Sequence, residues 1–195
     1  MEPPRVLVFA GPNGSGKSSA TQYVAPIGQY INADEIQKEN GCSAMEAAKL
    51  AEEAREFCLK HRYSFTFETV LSTERNLLLL ERARDSGYEP MALYFVTRTP
   101  TINQRRVQKR VEAGGNFVEP SKIVPRYLRA MKLIPRLCAV CDRTLIYDNS
   151  GERGVYTPQL IAKVVKGEVF IYPSEFWSES DILALLSGKY VPEGF

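Results

Sequence analysis

The chain has 195 residues, of which 44% are hydrophobic, and its 25 lysines and arginines nearly balance its 23 aspartates and glutamates. This length and composition predict a folded domain with a sizeable core and exclude a disordered chain. The formal net charge of +2 argues against a protein built mainly to bind a polyanion.

Strands and helices are predicted to alternate along most of the chain. Arg5 to Ala10 is a continuous apolar run, which is typical of a strand buried on both faces of a parallel sheet. Ser43 and Glu46 have the capping-box spacing and open a helix from Ala44 to about His61. Further strands are predicted at Gln29 to Asn32, Tyr63 to Val70, Met91 to Val96 and Thr144 to Tyr147.

The other helices follow from apolar periodicity and from glycine and proline stops. They are expected from near Lys17, from Ala33, from Thr73 to Ser86, from Pro100 to Ala113, and from Pro120 or Ser121 to about Ala139 with kinks or breaks at Pro125 and Pro135. Toward the end of the chain, one or two short strands around Gly167 and a helix at Ser180 to Ser187 are expected.

A complete phosphate-loop pattern, G-x-x-x-x-G-K-[ST], follows the first strand. Its glycines let the backbone N–H groups point at phosphate oxygens, Lys17 reaches the β- and γ-phosphates, and the Ser18 hydroxyl coordinates Mg²⁺. The sequence therefore predicts a site for ATP and magnesium formed by Gly11, Pro12, Asn13, Gly14, Ser15, Gly16, Lys17, Ser18 and Ser19. The N-K-x-D of GTPases is absent from the sequence.

Together these features predict an α/β P-loop NTPase fold with a five-stranded, mainly parallel sheet flanked by helices. Residues 1–195 are expected to form a single domain, with an arginine-rich lid at about 99–120 and a small C-terminal extension at about 152–195. Ligands of such sheets gather at the carboxyl ends of the strands. Beside the loop, those ends carry Asp34, Glu68, Arg98 and Asp148 with Asn149.

Several segments in this order resemble the zeta toxin family, in particular its branch often labelled predicted ABC-type ATPase. They are AGPNGSGKSS, INADEI, FTFETVLS, the arginine-rich helix that ends at Gly114-Gly115, RYLRAMKLIP and LIYDNSG. The likeness extends over residues 5 to about 151 and implies a small-molecule kinase fold.

The resemblance implies ATP- and Mg²⁺-dependent phosphorylation of a hydroxyl, which in studied zeta toxins is the 3′-hydroxyl of a UDP-N-acetyl amino sugar. The family's catalytic base falls on Asp34, and its sugar-nucleotide-binding glutamate falls on Glu68, beside Thr69. Its phosphate-contacting lid arginine falls on Arg106 or Arg110. An antitoxin protein is a further partner that this family suggests.

Each of these roles has a structural alternative. An aspartate that accepts a proton from the acceptor suits phosphoryl transfer, but Asp34 also suits a helix N-cap. Glu68 could bind substrate or make a structural hydrogen bond. Arg106 and Arg110 are four residues apart and share a helix face, which could clamp phosphate or simply be a solvated basic face.

One position departs from the family. Where this branch usually carries Gly-Gly-His, the chain has Gly114-Gly115-Asn116. The loss of that basic residue puts the phosphate clamp or the acceptor specificity in doubt, and Arg126 is the candidate to replace it. We also expect residues from about Thr99 to Asn116 to form a mobile lid with Gly114-Gly115 as its hinge.

A small-molecule kinase is therefore the leading hypothesis. The alternatives are a nucleotide-binding regulatory protein without turnover and a nucleic-acid end kinase, against which the near-neutral charge argues. We expect a cytoplasmic location, because the N-terminus lacks the basic start of a signal peptide and no apolar run reaches 18 residues.

Four cysteines and one histidine leave a zinc site open. The two pairs are Cys58 with His61, and Cys138 with Cys141. Because both pairs fall in predicted helices, reduced and mostly buried thiols are the favoured interpretation.

Overall fold

A computed structural model describes residues 2–151 and 157–193 of the chain. Seven strands form one sheet in the order β2-β3-β1-β4-β5-β6-β7. The strands are β1 (Arg5–Ala10), β2 (Gln29–Ile31), β3 (Phe65–Thr69), β4 (Glu89–Val96), β5 (Arg143–Asp148), β6 (Gln159–Val165) and β7 (Glu168–Ile171). The helices are α1 (Lys17–Ala20), α2 (Ala33–Asn40), α3 (Ala44–His61), α4 (Arg75–Asp85), α5 (Pro100–Glu112), α6 (Pro120–Lys132), α7 (Ile134–Val140) and α8 (Glu179–Leu186).

β1 lies at the centre of five parallel strands and is buried on both faces. Val6 and Val8 pack into the larger core with α3, α4 and α7, whereas Leu7 and Phe9 pack into a smaller core on the opposite face. This arrangement confirms the predicted α/β fold and explains the unbroken apolar run of β1. It also places the carboxyl ends of β1 to β5 along one edge of the sheet.

The predicted number of five strands is too low by two. β6 and β7 come from the C-terminal extension and continue the sheet antiparallel beyond β5. They turn at Lys166 and Gly167, whose φ angles are +49° and +85°. β7 is a four-residue edge strand with exposed apolar side chains, so its sequence lacks the signal of a buried strand.

The local helix signals were accurate where a cap or a proline determines the boundary. The capping box of Ser43 and Glu46 is present, and α3 runs over the predicted residues Ala44–His61. The long helix predicted after Pro120 is divided at Leu133, so Pro135 lies in the first turn of α7. Pro125, in contrast, is accommodated inside α6.

The cysteines lie in the core or near it. Cys58, Cys138 and Cys141 are buried, and burial raises the pKa of each of these thiols. Within the described part of the chain, no three histidine, cysteine or acidic side chains come together as metal ligands would. The described helices are also all too short or too polar to cross a membrane.

Candidate functional site

The glycine loop joins β1 to α1 and lies between the ends of β3 and β4. Gly11, Gly14 and Gly16 adopt φ angles of +141°, +77° and +98°. A side chain at Gly14 would lie 2.8 Å from the carbonyl oxygen of Asn103, and one at Gly11 would overlap the carbonyl group of Phe95. Only glycine fits these positions, and their backbone has the form that a phosphate cradle needs.

Lys17 is folded back onto the loop. Its ammonium group donates hydrogen bonds to the carbonyl oxygens of Gly11 at 2.8 Å and Pro12 at 3.0 Å. Burial lowers the pKa of Lys17 to about 8, although the charges of Glu68 and Asp34 act in the opposite direction. The positive charge of Lys17 is therefore not fully neutralised by the loop, and an anion bound there would interact with it favourably.

Two asparagines hold the loop from its other side. Asn103 Nδ2 donates to the carbonyl oxygen of Asn13 at 2.7 Å, and Asn149 Nδ2 donates to that of Ser15 at 2.8 Å. The sequence predicted that Asn149 lies at a strand end beside the loop, but it missed Asn103. The available signal was a polar residue on the apolar face of α5, four positions before the buried Val107.

Glu68 ends β3 and lies next to the loop. Its carboxylate oxygens accept hydrogen bonds from the Ser18 hydroxyl at 2.9 Å and from the Tyr30 hydroxyl at 2.5 Å. Asn32 Nδ2 in turn donates to the Tyr30 oxygen at 3.2 Å. Burial, together with the bond to Glu68, raises the pKa of Tyr30. Tyr30 escaped prediction because it lies in a three-residue strand with little pattern of its own.

Asp34 is exposed on the cleft side of α2. The N-cap of this helix is Asn32, whose Oδ1 accepts a hydrogen bond from the backbone N–H of Asp34 at 3.0 Å. The alternative in which Asp34 itself caps the helix is therefore wrong. Its carboxylate is left available to the cleft, close enough to act electrostatically on Lys17.

The two lid arginines differ in their contacts. The Arg106 guanidinium donates to the carbonyl oxygens of Asn149 at 2.8 Å and Gly151 at 2.6 Å, which ties α5 to the loop after β5. Arg110 donates to the carbonyl oxygen of Asn116 at 2.8 Å. Its charge adds to burial in lowering the pKa of Lys17. Arg110 is thus close enough to act electrostatically on the phosphate loop, and both arginines line the cleft.

Thr69 and Arg126 both line the cleft, as does Glu68. The Thr69 hydroxyl oxygen accepts hydrogen bonds from Leu71 N at 3.0 Å and Asn76 Nδ2 at 2.8 Å, so it also shapes the turn after β3. Arg126 is half-buried on α6 near Glu119.

The charged groups at the ends of β4 and β5, Arg98 and Asp148, are paired with other side chains of the protein. Arg98 forms an ion pair with Asp181 at 2.9 Å. Asp148 is fully buried and accepts a hydrogen bond from Trp177 Nε1 at 2.9 Å. Of the residues predicted at the strand ends, Asp34 and Glu68 face the cleft and these two do not.

One cleft of about 1180 Å³ unites the loop, α2, the end of β3 and the lid. Two exposed aromatic rings stand in its wall, Tyr23 and Phe117, at 70% and 72% exposure. Basic groups from the loop and the lid face acidic groups from the ends of β2 and β3. The charged side chains that line it are Lys17, Asp34, Glu68, Arg106, Arg110, Glu119, Lys122 and Arg126.

The chain matches the model of a protein family described as Zeta toxin over residues 31–160. An uncharacterized protein of Haemophilus influenzae (strain ATCC 51907 / DSM 11121 / KW20 / Rd) is 26% identical over 129 residues. The aligned region covers 63% of this chain and 92% of that protein.

Two solved structures show the same fold. The complex of AvrRxo1-ORF1 and AvrRxo1-ORF2 with ATP has a TM-score of 0.68 and 14% identity, and covers 98% of this chain. This chain spans only 66% of the length of that protein. A structure from the PezAT chromosomal toxin-antitoxin system of Streptococcus pneumoniae has a TM-score of 0.55 and 17% identity. The match covers 97% of this chain and 86% of that protein. The matched family and fold are those of P-loop phosphotransferases.

Proposed function

We propose that this chain, which belongs to the zeta toxin family, is a kinase that transfers the γ-phosphoryl group of ATP to a hydroxyl group of a small molecule. The observation that carries the proposal is the single cleft in which the glycine loop, Lys17 and Arg110 face Asp34 and Glu68. Cations on one side and acids on the other are the arrangement that phosphoryl transfer to a hydroxyl needs.

ATP fits the loop on three grounds. The backbone cradle admits only glycine at its close contacts. Lys17 is a half-buried cation whose hydrogen bonds, within the described residues, go to the carbonyl oxygens of Gly11 and Pro12. Three buried polar atoms, Asn13 Oδ1, Ser15 Oγ and Arg110 Nε, have no hydrogen-bond partner within the described residues. Since an unpaired buried polar group costs about 1–3 kcal/mol, bound phosphates that accept from Ser15 and Arg110 would relieve part of that cost.

In the proposed reaction the acceptor oxygen forms a bond to the γ-phosphorus while the bond from that phosphorus to the bridging oxygen breaks and ADP leaves. Asp34 takes the proton of the acceptor hydroxyl. Lys17 and Arg110 balance the negative charge that spreads over the phosphoryl oxygens. Arg106 holds α5 in place through its contacts with the carbonyl oxygens of Asn149 and Gly151.

Magnesium fits the acidic side of the loop. Ser18 would hold it, and Glu68, which accepts the Ser18 hydrogen bond, is the carboxylate next to that position. Hydroxyl and carboxylate oxygens are the ligands that Mg²⁺ prefers. When bound, the ion neutralises charge on the phosphates of ATP. This contact offers Glu68 a role at the metal, beside the sugar-nucleotide binding that the family resemblance implies.

The acceptor that the family suggests is a UDP-N-acetyl amino sugar. Two features of the cleft support an acceptor that carries a base and further phosphates. Tyr23 and Phe117 offer exposed rings on which a base can stack, and Arg126 offers a positive charge on α6. In this proposal Arg126 replaces the basic residue that Asn116 lacks.

Two further proposals concern partners and motion. An antitoxin protein as partner is supported by the PezAT toxin-antitoxin structure among the structural neighbours. We also propose that the end of α5 and the loop that contains Gly114 move over the bound triphosphate, since Gly114 has a φ of +78° and a side chain there would meet no atom of the described residues within 4 Å. Part of the proposed C-terminal extension, residues 152–156, lies outside the described residues.

The experiment is a transfer assay with ATP labelled in its γ-phosphate. The purified protein is incubated with UDP-N-acetyl amino sugars, other nucleotides or nucleic-acid 5′ ends, with the Lys17→Ala variant as control. The proposal expects label on a small molecule with wild type only. Label on nucleic-acid ends would identify an end kinase, and ATP binding without any labelled product would favour a regulatory nucleotide-binding protein.

A further inference from the structure

The side chain of Arg98 is enclosed by the C-terminal part of the chain. Its guanidinium lies 2.9 Å from the Asp181 carboxylate. It also stacks over the rings of Trp177 at 5.2 Å and Tyr190 at 5.5 Å, both of which are buried. Asp181 belongs to the first turn of α8, where a capping box with Ser178 fixes it. Arg98 is therefore held by α8 and the residues that flank it, which are distant in sequence.

The backbone around Arg98 is fixed as tightly as its side chain. The Tyr190 hydroxyl donates to the carbonyl oxygen of Arg98 at 2.6 Å. The Tyr127 hydroxyl, from α6, donates to the carbonyl oxygen of Thr97 at 2.6 Å. The backbone N–H of Arg98 donates to the Ser150 hydroxyl oxygen at 2.8 Å. Side chains from three separate parts of the chain thus hold one short turn.

A buried carboxylate connects this turn to Trp177 by a second route. Asp148 accepts hydrogen bonds from Trp177 Nε1 at 2.9 Å and from the Ser150 backbone N–H at 3.0 Å. The Ser150 hydroxyl also donates to Asp148 and in turn accepts the bond from Arg98. Loss of the indole N–H would therefore loosen Ser150 and the turn that it supports.

The turn leads directly into α5, which carries the lid arginines. Asn103, one turn into the helix, is hydrogen-bonded both to Thr97 and to the loop residue Asn13. Arg110 follows the helix start by ten residues, or roughly 15 Å at 1.5 Å per residue. A tilt of roughly 5° at the turn would displace Arg110 by about 1 Å, which is enough to reduce catalysis up to about 10²-fold.

We propose that Trp177 and Tyr190 are positioning residues: they set the Thr97–Thr99 turn, and through it the angle at which α5 presents Arg110 to the phosphate loop. The first half of α5 then stays fixed, and lid motion is confined to the part after Arg106. The kinetic half of this inference rests on the proposed phosphotransfer, whereas its structural half does not.

The test compares wild type with the double variant Trp177→Phe, Tyr190→Phe. It keeps a six-membered aromatic ring at each position and removes one hydrogen bond from each, and at Trp177 it also removes the five-membered ring of the indole. Tyr172→Phe, at the half-exposed end of the β6–β7 hairpin, is the matched control. We expect amide exchange of residues 99–109 to rise at least tenfold in the double variant, with β1 and β4 unchanged. Once an acceptor has been identified, kcat should fall about tenfold in the double variant, whereas KM for ATP should change by less than twofold.

Unchanged exchange at residues 99–109 would overturn the inference whatever the activity. Faster exchange with wild-type kcat would also overturn it, because the residues would then be structural only. If exchange rises in the double variant but wild type shows no phosphotransfer, the structural role of Trp177 and Tyr190 stands. In that case the proposed function is refuted instead. If the double variant does not fold, Tyr190→Phe alone is measured against the same control, with the same criteria.

Discussion

The two sides of the phosphate loop use their charged residues in opposite ways. At the ends of β2 and β3, Asp34 is exposed to the cleft. Within the described residues, the hydrogen bonds of the Glu68 carboxylate come from the hydroxyls of Ser18 and Tyr30. At the ends of β4 and β5, Arg98 is paired with Asp181 and Asp148 is fully buried. A charged residue at a strand end is therefore a candidate for chemistry only when the rest of the chain leaves its charge to the cleft.

Both sides of the site act on a triphosphate held by the loop between them. Lys17→Ala should therefore have the largest effect on ATP binding and activity. The variant removes the half-buried ammonium group that contacts Gly11 and Pro12, so binding of Mg²⁺-ATP and any turnover should be abolished. Calorimetry with ATP measures the binding, and thermal unfolding serves as the control for folding. ATP affinity equal to that of wild type would show that the triphosphate is not held by this loop.

The two lid arginines differ in a similar way: Arg106 is bonded to the carbonyl oxygens of Asn149 and Gly151 in the loop after β5, whereas Arg110 is bonded to Asn116 within the lid and its charge acts on Lys17. Arg110→Ala should lower kcat by about 10²–10³-fold, the usual loss when one donor to a transition-state oxygen is removed. Arg106→Ala should instead raise amide exchange across α5. Equal losses of kcat with unchanged exchange in both variants would mean that the two arginines act as one clamp.

The sequence was sufficient for those parts of the fold that local patterns determine. β1 and α3 have the predicted boundaries because an apolar run and a capping box are local signals. The number of strands was underestimated because β7 is a short edge strand that buries little apolar surface, and β6 lies between it and β5. Motif and position predicted the loop, Asp34 and Glu68 as site residues, and the structure places all three at one cleft.

What the sequence could not provide was the partner of each charged group. Arg98 and Asp148 looked equivalent to Asp34 until α8 and its neighbours placed Asp181 and Trp177 against them. Those partners are remote in sequence, so no spacing rule reveals them. The cap of α2 is a local example of the same limit, since both Asn32 and Asp34 suit the position and only the backbone geometry assigns Asn32.

The smallest expected effect is a proton taken up with ATP. Burial lowers the pKa of Lys17 to about 8 in the free protein, and bound phosphates would raise it again. Below that pH Lys17 is already charged and binding takes up no proton there. At higher pH, up to the ordinary lysine range, binding should take up about one proton and affinity should fall as pH rises. The number of protons taken up on ATP binding is measured by calorimetry at saturating Mg²⁺, in two buffers of different ionisation enthalpy, at about pH 7 and at about pH 9. Equal numbers at the two pH values would contradict the prediction.

The most direct test of the central claim compares Asp34→Asn with Asp148→Asn, one carboxylate from each side. Asp34→Asn should lower phosphotransfer by about 10²–10⁴-fold, because the amide cannot take the acceptor proton. Its free energy of unfolding should change by less than about 1 kcal/mol, since Asn32 caps the helix and only a first-turn charge is lost. Asp148→Asn should instead lose about 1–3 kcal/mol of stability, because its bonds from Trp177 and Ser150 are buried. Full phosphotransfer by Asp34→Asn at wild-type stability would contradict the account and move the search for the base to Glu68.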